Sequence, residues 1–135
     1  MKSCRYQHTD TATNLLDSTD VLTGGFGADR FVFSSVTDSV ATAGLRDIIA
    51  DFTAAADRID LSAIDANTVT LNKQGFTWLG TGAITGAGQL NMAFDAATGH
   101  TLIRGNVNAD VAPDFVIMLA GDYTASLTAT DFLLG

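Results

Sequence analysis

Nine residues, Gly-Gly-Phe-Gly-Ala-Asp-Arg-Phe-Val at positions 24–32, limit what this chain can fold into more than any other stretch. The glycines open left-handed and crowded backbone conformations, so the chain can turn tightly here. A phosphate-cradling loop would close on Lys followed by Ser or Thr, and neither is present. A dinucleotide-binding loop would open a helix, but Arg30, Phe31, Val32 and Phe33 follow, and they favour strand. What remains is an ordinary turn before a strand, or one unit of a repeat.

The repeat has a known form. Positions 24–32 fit G-G-x-G-x-D-x-U-x, the calcium-binding nonapeptide of parallel β-rolls in RTX proteins, with Phe31 as the large apolar residue. Glycines let the backbone aim carbonyl oxygens inward, Asp29 adds a compact carboxylate for a hard cation, and Phe31 enters the core. A degraded copy precedes it. Asp20 and Leu22 stand nine residues before Asp29 and Phe31, with Ser18 where a glycine belongs. Two units cannot form a free-standing roll, because stacked neighbours must bury each other's apolar faces. The pattern predicts the last turns of a roll, followed by a different, capping structure.

Composition points the same way. The 15 acidic residues are all aspartates, set against 7 basic residues, for a formal charge of −8. Aspartate favours turns and caps, whereas glutamate favours helix interiors. Such a charge makes nucleic acid and anionic membrane surfaces poor partners. No apolar run is long enough to span a membrane as a helix, and the first residues lack the apolar core of a secretory signal peptide. The single cysteine, Cys4, can make neither an intramolecular disulfide nor a multi-thiolate metal site.

Along the chain, residues 1–17 read as a loose polar lead-in and 18–135 as one β-rich domain. Candidate strands lie at 30–33, 46–52, 58–61, 76–79, 89–94, 101–104 and 115–119. Leu90, Met92 and Phe94 alternate, as do Phe115, Ile117 and Leu119, which predicts one inward face for each strand. Asp95 to Gly99 supplies a hairpin turn. A helical period is suggested only over 44–59. Thr128 and Asp131 have capping-box spacing, predicting one helical turn before an extended tail.

At this point a wider resemblance becomes specific. "LTGGFGADRFVF", "RDIIADFTAAADRIDLSAID", "GQLNMAFDAATGHTLIRGNVNADVAPDFVIML" and "SLTATDFLL" resemble the C-terminal domain of serralysin-type metalloproteases and related RTX exoproteins, over nearly the whole chain. "DFTAAADRIDLSAI" at 51–64 is the most distinctive piece. The resemblance implies an all-β fold, a short parallel β-roll running into an antiparallel β-sandwich-like cap. It also implies calcium as the bound ion, with Gly25, Gly27 and Asp29 in the last calcium turn. Asp20 would come from the turn before, and Asp57 from the loop after the next strand; Asp47 and Asp51 are weaker candidates. The acidic-then-apolar ending Asp131-Phe132-Leu133-Leu134 is similar to a type I export signal, which implies the type I secretion machinery as partner and an extracellular destination without a cleaved leader. The alternative for each aspartate is capping a strand end, and for the tail a final strand packed on the core.

Asn106, Asn108, Asp110 and Asp114 have the oxygen spacing of an EF-hand-like loop, but Val111 replaces its glycine and Ile117 its bidentate glutamate, which favours a plain strand connection. A zinc protease would need H-E-x-x-H, and the chain has only His8 and His100 and no glutamate. His100 suits a hairpin, and Trp78 the core. The expected role is a non-catalytic calcium-binding folding and export module. The competing role is a stand-alone β-sandwich that binds carbohydrate or a protein partner.

Overall fold

The computed structural model describes residues 7–8, 21–22, 30–33, 47–69 and 74–134. Among these residues ten strands form two sheets: β1 (Gln7–His8), β2 (Val21–Leu22), β3 (Arg30–Phe33), β4 (Asp47–Ile49), β5 (Arg58–Asp60), β6 (Thr77–Trp78), β7 (Gln89–Asp95), β8 (His100–Asn106), β9 (Phe115–Ala120) and β10 (Phe132–Leu133). One sheet has the order β1-β3-β5-β10, the other β2-β4-β9-β8-β7-β6. From β1 to β5 the chain alternates between the sheets at every step, and each pair within a sheet is parallel. That alternation is the winding of a parallel roll.

The period-two pattern turns the apolar residues between the sheets. Phe31, Ile59 and Phe132 lie side by side across β3, β5 and β10, all three buried. Facing them, Ile49 pairs with Leu119, and Ile117, Ile103 and Met92 form a second buried row across β9, β8 and β7. Burying each such side chain contributes roughly 1.5–3 kcal/mol. A third row places Phe115 opposite Gly105, where an added Cβ would overlap the Phe115 ring. Glycine is required there by close approach, not by a turn.

The antiparallel part is not a separate layer. β7, β8 and β9 extend the same sheet that holds β2 and β4, and β9 lies parallel to β4. From β9 the chain passes through a 3-10 turn at Ala129–Asp131 into β10, which pairs in parallel with β5. Thus β9 and β10 supply the final rung in each sheet of the roll, and residues 61–114 form an excursion before it. The backbone of the tail is tied down by bonds from Leu61 N–H to Leu133 O and from Phe76 N–H to Leu134 O, 2.9 and 3.0 Å. The Trp78 ring packs on Phe132 with centroids 4.7 Å apart.

The expected strands appear within a few residues of their predicted ends, and the hairpin turns at Asp95, whose carbonyl accepts from Thr98 and Gly99 N–H. Two expectations fail. Phe94 continues the inward alternation but is 41% exposed, because it sits at the hairpin end beyond the facing sheet's cover. No helix forms in the described part of 44–59. Its apolar residues instead belong to β4 and β5, with a turn at 54–56 between them.

Candidate metal centre

The turn from β4 to β5 is built around Asp57. Thr53 O accepts from Ala56 N–H and Asp57 N–H (3.2 and 2.8 Å), and Asp57 Oδ2 accepts from Thr53 N–H at 2.8 Å. The carboxylate thereby closes its own turn while only 1% exposed. Ala55 has φ of 72°, a conformation that costs a non-glycine residue about 1 kcal/mol or more. Arg58 Nη1 donates to the carbonyl oxygens of Ala55 (3.4 Å) and Asp57 (3.1 Å), folding back over the turn.

Register explains the strained alanine. Arg30 and Phe31 pair with Arg58 and Ile59, an offset of 28 residues. In sequence that offset aligns Asp29 with Asp57 and Gly27 with Ala55. Residues 52–57, Phe-Thr-Ala-Ala-Ala-Asp, therefore align with the nonapeptide turn at 24–29 with its glycines replaced, and Ala55 adopts a backbone conformation that favours glycine. Sequence reading missed this unit, since only the Asp57-x-Ile59 spacing survives. In the other sheet, Val21 pairs with Ile48 and Leu22 with Ile49. By sequence, Asp20 precedes Val21 as Asp47 precedes Ile48. Asp20, Gly25, Gly27 and Asp29 lie outside the described residues, as does the side chain of Asp47.

Asp51 is half-buried in the same turn as Asp57. Both act on Tyr123, whose hydroxyl donates to Phe52 O. Burial raises the Tyr123 pKa above its ordinary 10.0, and the negative charges of Asp57 and then Asp51 raise it further. The two carboxylates thus converge on one end of the roll. Among the described residues no three His, Cys, Asp or Glu side chains gather closely enough to hold a metal by themselves. A roll site draws on two stacked turns and on backbone carbonyls, and Asp57 offers a buried carboxylate in the register such a site requires. The described donor set fits one side of a calcium site.

Asp131 has a different part. Its Oδ1 accepts from Ala55 N–H at 2.7 Å and its Oδ2 from Thr128 N–H at 2.9 Å, with the side chain 2% exposed. The capping spacing read from sequence is real, and the same carboxylate reaches across to the roll turn. Asp60, which sequence reading did not single out, accepts from Ser62 N–H (2.9 Å) and faces Arg30 at 3.7 Å.

The loop at 106–114 connects β8 to β9 and turns its oxygens onto its own backbone. Asn106 Oδ1 accepts from Asn108 N–H, Asn108 Oδ1 from Asp110 N–H and Asp110 Oδ1 from Ala112 N–H, at 3.4, 3.2 and 3.1 Å. Asp114 accepts from Val107 N–H and from Asn108 Nδ2, both at 2.8 Å. The oxygen spacing that resembles an EF-hand loop is here a ladder of side-chain turns.

Comparison with known proteins adds to this geometry. A family model described as peptidase M10 serralysin C terminal matches residues 10–134. Among solved structures, the R2 subunit of the mannuronan C5-epimerase AlgE6 from Azotobacter vinelandii is 32% identical with a TM-score of 0.57, over 87% of this chain and 66% of that one. The R3 subunit of the same epimerase is 27% identical with a TM-score of 0.58, over 85% of this chain and 57% of that one. The chain thus spans less than two thirds of either structure.

Proposed function

The chain belongs to the family of serralysin C-terminal domains, and from that premise we propose that it is a calcium-dependent folding and export module. Domains of this family are non-catalytic, bind calcium and are associated with type I secretion. The observation that carries the reading is the register of β3 on β5, with Ala55 in a glycine conformation and Asp57 buried one residue before its strand. On this reading Asp29 and Asp57, with the Gly25 and Gly27 backbone, serve one edge of the roll and Asp51 stands beside them. Asp20 precedes β2 in sequence and Asp47 opens β4, both strands of the other sheet, so they serve the opposite edge.

Calcium, when bound, supplies the positive charge between stacked turns. Without it, a net charge of −8 and the clustered aspartates repel one another and oppose winding. Binding free energy then becomes folding free energy, and the chain folds where calcium is plentiful, outside the cell. The C-terminal tail would address the type I machinery before folding draws Phe132 into the core. The test is circular dichroism and thermal melting of EDTA-treated protein with and without added calcium chloride. A gain of ordered β signal and a rise of about 10 °C or more are expected at saturating calcium. Unchanged spectra and melting would sink the proposal.

A further inference from the structure

We propose that the outer face of the antiparallel sheet carries a binding cleft for a compact organic carboxylate, centred on Arg104. A cavity of about 230 Å³ opens there, lined by Ala83, Ile84, Asn91, Arg104, Val111 and Pro113. It lies on the sheet face opposite the core, since Ile103 and Gly105 on either side of Arg104 are buried inward.

The guanidinium is held in place but not neutralised. Asn91, 2% exposed, stands opposite Arg104 in the β7–β8 register. Arg104 Nε donates to Asn91 Oδ1 at 3.1 Å, and Asn91 Nδ2 donates to Gly82 O at 2.8 Å, which ties the pair to the loop before β7. Among the described residues, the two terminal nitrogens of Arg104 have no hydrogen-bond or ion-pair partner. The contrast is with Arg30, which faces Asp60, and Arg58, which caps two carbonyls. In a chain with 15 aspartates, an oriented arginine left without an acid is an opening for an anion.

The walls choose among anions. Val111, 58% exposed, and Pro113 stand on the ladder of side-chain turns at 106–114, and Ile84 joins them. A planar carboxylate accepts two parallel N–H bonds from a guanidinium fork, and an apolar body covers these side chains. Inorganic phosphate gains nothing from the apolar walls, and a neutral molecule gains nothing from the charge. The volume lies below that of drug-sized pockets, so the ligand is small.

None of the lining residues is a proposed calcium ligand, so the site is tested on the full chain, held folded in calcium chloride, by two-dimensional NMR titration with benzoate. The expected result is saturable shifts at the Arg104 Nε–H and Asn91 side-chain signals, with a dissociation constant of about 1 mM for a ligand of roughly nine non-hydrogen atoms. Arg104→Gln should weaken binding at least about tenfold, and Arg104→Lys, which keeps charge without the fork, about fivefold. Both should keep the calcium-dependent melting of the parent. If Arg104→Gln fails to fold, Arg104→Lys decides. Absence of benzoate binding, equal binding of benzamide or inorganic phosphate, or undiminished binding by the folded variants would overturn the proposal.

Discussion

The turn at 51–57 and the loop at 106–114 both gather oxygen-bearing side chains at a strand end, yet their chemistry diverges. In 106–114 the side-chain oxygens face N–H groups of the same loop, and Asp114 adds two such bonds. In 51–57 burial raises the pKa of Tyr123, the charges of Asp57 and then Asp51 raise it further, and Asp57 is almost fully buried. The parallel pairing of β3 with β5 aligns the turn before β5 with residues 24–29 in sequence, whereas β8 and β9 are antiparallel neighbours joined by one loop. Spacing of aspartates alone does not define a cation site. On the proposed reading, a second turn in register does.

The largest test of that contrast is Asp57→Asn. The amide oxygen can still accept from Thr53 N–H, so folding without calcium should change little. The calcium-linked stabilisation should be lost, about 2.7 kcal/mol at a calcium concentration a hundred times the dissociation constant, read from paired denaturant melts. A full calcium response in this variant would break the comparison. Next comes Asp114→Ala, which removes acceptors for Val107 N–H and Asn108 Nδ2 and should cost about 2 kcal/mol. Here the loss should be equal with and without calcium. A calcium-dependent loss would make the second loop a metal site after all.

Ala55→Gly should stabilise the chain by about 1 kcal/mol, because glycine accepts φ of 72° without the alanine penalty. Chemical denaturation in EDTA checks this, and a destabilised variant would refute the identification of a degraded glycine turn.

The smallest effect is spectroscopic. In a Tyr6→Phe background, Tyr123 should ionise above 10.0, and calcium should move its titration back down by offsetting Asp57 and Asp51. A raised folded-state value means that the native chain holds the phenolic proton longer than the unfolded one. Its contribution to stability is fully present below pH 10.0 and is lost as pH rises through the folded-state value. Ultraviolet titration of the phenolate reads both points. A Tyr123 titration indifferent to calcium would place the metal away from this turn.

Much of the fold was legible because it is local. Period-two runs marked the strands, Asp95 and Gly99 the hairpin, and Thr128 with Asp131 the final turn. Phe94 misled because alternation reports which way a side chain points, not how far the facing sheet extends. The turn at 52–57 was hidden for a related reason. With alanine and threonine in place of glycine, nothing within the segment reveals a left-handed residue, and only register against β3 does. Asp131 likewise read as a local cap, while its bond to Ala55 N–H joins residues far apart in sequence.

By itself, then, the sequence determined the all-β class, the nonapeptide spacing from Asp20 to Asp29 and an acidity carried entirely by aspartate. These follow from side-chain chemistry and neighbouring residues. Tertiary structure decided that β9 and β10 close the roll, that β5 pairs with β3 at an offset aligning Ala55 with the third glycine of the nonapeptide, and that, among the described residues, Arg104 stands oriented without an acid. Those outcomes depend on which distant strands bury each other's apolar rows. Phe31, Ile59 and Phe132 form one such row only when the whole domain is folded.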